Sequence, residues 1–166
     1  NKNIQIIKKI NYDIFYYFQI KFFTSFLTGF ATFIVLFFLK NDLAPTFGLL
    51  SFILNFIPLI GSLVSILLPF IFSGIQFLSF YEPILTLIAL TIIQIFIGNF
   101  LEPRMMGNTL NISPLVMILF LSLMGKLWGI AGMFLSVPFL VVILIILRRI
   151  NSTKKIAIFL SEKGNN

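Results

Sequence analysis

Apolar runs of bilayer length recur along this chain, and each is closed by proline, glycine or a short polar turn. Ile20 to Leu39 is the clearest, with Leu63 to Phe80 and Ile84 to Phe100 after it. A helix of about twenty residues spans about 30 Å, the thickness of a bilayer's hydrocarbon core. A chain of 166 residues that repeats this pattern has no soluble globule in which to hide so much Phe, Ile and Leu. Only 10% of its residues are charged, where soluble domains carry about a quarter. The fold class expected is all-α: a polytopic transmembrane helical bundle with broken or re-entrant helices, in contact with the lipid bilayer.

The net charge of +7 does not point to nucleic acid. The basic residues gather at the two ends, Lys2, Lys8, Lys9 and Lys21 on one side and Arg148, Arg149, Lys154, Lys155 and Lys163 on the other. That is the placement of positive-inside anchors, so both ends are expected in the cytoplasm and the number of crossings is even. The chain has no Cys and no His, which removes thiolate metal sites and the usual general base. No cofactor, no metal site and no catalytic residue are expected. The first Met is Met105, so the sequence reads as a piece of a longer protein.

Six apolar segments can be counted, 20–39, 43–57, 63–80, 84–100, 115–124 and 133–147. Four crossings with one re-entrant hairpin satisfy the same even rule. Residues 1–19 read as an amphipathic lead-in and 148–166 as a polar basic tail of a single membrane domain. Ser25, Thr28, Gly29 and Thr32 form a small-residue stripe suited to close helix packing, with pore lining as the alternative. Asn55 to Ser62 holds Pro58 and Gly61 between two apolar runs, which reads as a tight hairpin. Beyond it Ser62, Ser65, Pro69, Ser73 and Gln76 share one helical face. Thr91, Gln94 and Glu102 are read as a second polar face on the helix after Pro83. Glycines from Gly125 to Gly132 suit two short helices better than one long one.

The stretch Asn99–Val116 is the most polar interruption, with Glu102 and Arg104 flanking Pro103, then Gly107 and Pro114. Three motifs, NFIPLIGS (55–62), NFLEPRMMGNTLNISPLV (99–116) and GKLWGIAGMFLSVP (125–138), occur in order. Together they resemble the autoinducer-2 exporter family of bacterial permeases. The likeness covers residues 15 to 149, and Lys126 departs from its glycine-rich motif. Members are about twice this length, so the resemblance implies a C-terminal half. It also implies a multi-pass inner-membrane permease that exports an autoinducer-2-like signal, or alternatively a sodium or lithium/proton antiporter.

Ionisable groups inside a bilayer mark pathways or partners. Glu102 is the one acid outside the flanks and turns, and it is expected to pair with Arg104, directly or through another helix, at a mouth of the path. Asn55, Ser62, Ser65, Gln76, Thr91 and Gln94 are the candidates for a hydrated seam, with the broken turns at Pro58–Gly61 and Gly125–Gly132, Gly129 among them, supplying free backbone groups. The competing reading is interhelical hydrogen bonding that holds the bundle together. The expected partners beyond lipid are a small polar solute or a monovalent cation, and further copies of the chain.

Overall fold

The computed structural model describes residues 2–106 and 113–149, and its regular elements there are all helical. They are α1 (Lys2–Phe38), α2 (Ala44–Leu54), α3 (Ile60–Phe77), α4 (Tyr81–Gln94), a π-helical segment (Ile95–Leu101), α5 (Glu102–Met106) and α6 (Pro114–Arg149). By length and composition alone, four stretches are long and apolar enough to cross a membrane: Asn11–Phe38, Ile60–Phe77, Tyr81–Met106 and Pro114–Leu144. The count of about six is not confirmed among the described residues: Ala44–Leu54 is a shorter apolar helix, and 115–124 and 133–147 fall within the one stretch Pro114–Leu144. The lead-in and the first span form one continuous helix, α1.

The chain divides into a compact unit, Ile20–Met105, and a second built from the residues on either side. In the first unit the usual polarity is inverted. Thr24, Ser25, Thr28 and Thr32 of α1 are buried, while Phe22, Phe26, Phe30 and Phe37 are exposed. Polar groups in a bilayer must find partners inside the protein, and aromatic faces are free to meet lipid. The apolar core, Leu36, Ala44, Phe47 and Leu90, lies among α1, α2 and α4.

Close approach, more than apolar area, joins α1 to α2, since lipid tails are as apolar as leucine. A Cβ on Gly29 would sit 2.7 Å from the Gly48 carbonyl oxygen and 2.7 Å from the Phe52 Cβ. The stripe predicted for packing on α1 is therefore where α2 crosses. The α2–α3 turn is tighter still. A Cβ on Gly61 would overlap the Leu54 carbonyl, so this glycine is there for space, not for unusual backbone angles. The left-handed residue is Leu59 (φ 63°, ψ −56°), closed by a 2.7 Å hydrogen bond from the Ile60 amide to the Pro58 carbonyl. That is a γ-turn, rare outside glycine. Pro58 cannot donate to Leu54, but the Ile57 amide does so instead at 2.8 Å.

In the second unit α6 is two helices meeting at Gly129, whose φ of 62° and ψ of −145° lie where only glycine is at ease. A Cβ on Gly132 would overlap the Met124 carbonyl, and one on Gly125 would meet the Met133 side chain. Residues eight apart stand about 12 Å apart in a straight helix, so the chain folds back sharply here. The two short helices expected from the glycines are found.

Candidate functional site: a buried polar column in residues 20–105

Two sets of interhelical hydrogen bonds and one ion pair accompany the apolar core of this unit. The first set joins four segments. The Asn55 side-chain amide donates to Ser25 Oγ (3.0 Å), and Gln94 Nε2 donates to Ser62 Oγ (2.6 Å) and to Asn55 Oδ1 (3.3 Å). None of these side chains is charged, and together they present donors and acceptors. Ser65, one turn beyond Ser62 on α3, is buried, and its hydroxyl has no hydrogen-bond partner. Four residues further on, Pro69 has no amide to offer the Ser65 carbonyl. Hydroxyl and carbonyl of one residue are thus both left with capacity beside the Gln94 cluster.

The second set closes the other end of α3. Asn41 donates to Ser73 Oγ (3.1 Å), which shares a hydrogen bond with Thr86 Oγ1 (3.1 Å). Gln76 donates to the Lys40 carbonyl (2.8 Å) and accepts from the Asp42 amide (3.0 Å). Gln76 is therefore a clamp on the α1–α2 turn, apart from the Asn55–Gln94 cluster. The face predicted on α3 is real, since Gly61, Ser65, Pro69 and Ser73 are its buried residues. Thr91 is half-buried and takes no part in either set.

Glu102 is held by residues that the charge pattern assigns elsewhere. Its Oε1 accepts from Lys21 Nζ at 2.7 Å, with the two side chains 7% (Lys21) and 15% (Glu102) exposed. Thr24 Oγ1 lies 3.2 Å from Oε2 and 3.3 Å from the Lys21 carbonyl, so one proton is shared between them. Both carboxylate oxygens have a partner, the condition under which a buried ion pair is tolerated. The expected Glu102–Arg104 pair is corrected: Arg104 is exposed and its guanidinium carbon sits 3.7 Å from the Phe100 ring centroid. Lys21 belongs with the α1 stripe, three and four residues before Thr24 and Ser25, and that register is the signal that reveals it.

Pro103 does not break the helix either. The chain stays helical through Met106, widened to π geometry over Ile95–Leu101, with the Glu102 amide bonded to the Ile97 carbonyl five residues back. A proline ring clashes with the carbonyl four residues earlier, here Asn99, and widening the turn relieves it. Of the remaining candidates, Gly129 and Gly132 belong to the second unit, and Gly107 lies outside the described residues.

Long apolar helices with an uncharged polar interior and one buried ion pair define a multi-pass helical membrane protein. Over residues 1–152 the chain matches the AI-2E family transporter family, and it belongs to that family. It is 38% identical over 150 residues to the AI-2 transport protein TqsA of Escherichia coli K12, covering 90% of this chain and 43% of that protein. A protein of Borreliella burgdorferi, provisionally named a transport protein, is 40% identical over 158 residues, 95% of this chain and 44% of its own length. One of Haemophilus influenzae, named in the same way, is 36% identical over 156 residues, 94% and 44%. The chain thus spans less than half the length of these relatives.

Proposed function

We propose that the protein to which this chain belongs moves a small polar solute across the bacterial inner membrane, and that Ser25, Asn55, Ser62, Ser65 and Gln94 line its route. The observation that carries this reading is the uncharged network of four side chains from four segments, with unspent hydrogen-bonding capacity at Ser65. Hydroxyls and amides can replace a neutral solute's hydration shell without the cost of burying a charge. The name of TqsA makes an autoinducer-2-like signal the first solute to try. In this reading both ends of the segment are cytoplasmic, and the Gly29 face of α1 is not the place where copies associate, since α2 already occupies it.

The test is uptake of autoinducer-2 by proteoliposomes of the intact protein, followed by cysteine scanning of the five positions, for which the Cys-free sequence of this chain is a convenient background. Retained transport with no reaction of any position toward a hydrophilic thiol reagent would refute the route. The buried Lys21–Glu102 pair favours a second reading, sodium or lithium/proton antiport, because ionisable groups inside a span mark ion pathways or partners. Flux that follows an imposed sodium or proton gradient, and is lost in Glu102→Gln, would select that reading over export of a neutral solute.

A further inference from the structure

The π-helical segment stands between two polar anchors, Gln94 on one side and Glu102 on the other. In an α-helix each residue turns about 100°, so positions eight apart point about 80° away from each other. A π turn absorbs one extra residue. The spacing from Gln94 to Glu102 then counts as seven α-helical steps, and the two side chains point within about 20° of one line. This is how Gln94 meets Asn55 and Ser62 while Glu102 meets Lys21 and Thr24. A plain α-helix of the same sequence satisfies one anchor at a time. With Gln94 held, Leu101 would take the place of Glu102; with Glu102 held, Ile95 would take the place of Gln94.

We propose that this segment is a register switch, in which passage from π to α releases either the Lys21–Glu102 ion pair or the Gln94 contacts. The ion pair and the polar network are thereby coupled, so that one engages fully only while the segment is π or at the other's expense. The surroundings permit the slip. Ile97 is the buried residue of the segment, whereas Ile95, Phe96, Asn99 and Phe100 are exposed and turn without repacking a core. Phe100 carries Arg104 with it by the ring contact. The inference goes beyond transport of a given solute, and its test measures no transport, so either can fail alone.

Hydrogen exchange on the intact protein in nanodiscs reads the switch directly. Amides of 95–101 are expected to exchange at least ten-fold faster than those of 84–90, which lie in the α-helical part of the same long apolar stretch. Glu102→Gln loosens one anchor and is expected to raise exchange in 95–101 a further three-fold or more. Deleting Phe96 removes the extra residue, leaves Gln94 and Glu102 seven apart in an ordinary α-helix, and is expected to slow the same amides at least ten-fold. Exchange in 95–101 as slow as in 84–90 would overturn the proposal. So would a Glu102→Gln protein whose exchange there is unchanged, a reading that stands even if the deletion variant does not fold.

Discussion

Lys21 and Glu102 are 81 positions apart in the chain, and their Nζ and Oε1 atoms are 2.7 Å apart in space. The contact ties the start of the first span to the end of the third long one. Thr24 satisfies the second carboxylate oxygen. The cost of removing water from two charges is thus offset by attraction and by hydrogen bonds that leave no lone oxygen.

Breaking such a pair from one side leaves an unpaired buried charge, which costs about 3–5 kcal/mol. Lys21→Met and Glu102→Gln are each expected to lower the thermal stability of the purified intact protein by this order. The double variant, with no charge left to strand, is expected to recover at least half of the loss. A double variant that loses the sum of the two singles would show that the charges do not interact.

The α1–α2 crossing depends on two glycines facing each other. At Gly29 a Cβ is 2.7 Å from backbone oxygen, and at Gly48 it is 2.7 Å from the Phe33 Cβ and 3.0 Å from the Gly29 carbonyl. Neither neighbour is a flexible side-chain end, so the helices must separate. Gly29→Val is expected to cost about 1–3 kcal/mol, read as a lower melting temperature. An unchanged melting temperature would place α2 elsewhere.

Gly129 makes a different demand. A Cβ there meets nothing within 4 Å, yet its φ is +62°. Gly129→Ala is therefore expected to cost about 1–3 kcal/mol through backbone strain alone, despite the free space. Gly125→Ala meets only the flexible Met133 side chain, most closely at its terminal methyl, and is expected to be tolerated better. Equal stability of the two variants would remove the conformational explanation.

The polar seam of α3, the hairpin at Asn55–Ser62 and the break among the glycines of α6 were legible because helical period and glycine placement are local properties. Lys21 was not, since counting charges pools it with the lysines before it, and only its register with Thr24, Ser25 and Thr28 sets it apart. The partner of Glu102 is decided by tertiary approach across 81 positions, which no local pattern encodes. Pro103 looked like a helix stop. Proline also permits a widened turn when flanking contacts hold the helix, and that outcome moves Glu102 from the Thr91 face to the Gln94 face. The count of about six segments is not confirmed, because the apolar run 43–57 yields a helix of 11, Ala44–Leu54, and 115–124 and 133–147 fall within one stretch, Pro114–Leu144.

Gln94 and Gln76 together separate a route from a structural glue. Each makes two polar contacts between segments, Gln94 with Ser62 and Asn55, Gln76 with the α1–α2 turn. Interhelical hydrogen bonds average about 0.6 kcal/mol, so Gln94→Leu and Gln76→Leu are each expected to cost about 1 kcal/mol in stability. If the uncharged cluster lines the route, Gln94→Leu puts an apolar side chain against the passing solute and leaves the Asn55 and Ser62 oxygens without their donor. Autoinducer-2 flux in proteoliposomes is then expected to fall about ten-fold, the equivalent of about 1.4 kcal/mol in a barrier, while Gln76→Leu leaves it within about two-fold, about 0.4 kcal/mol on the same scale. Equal flux from the two variants would make both glutamines glue and remove Gln94 from the route.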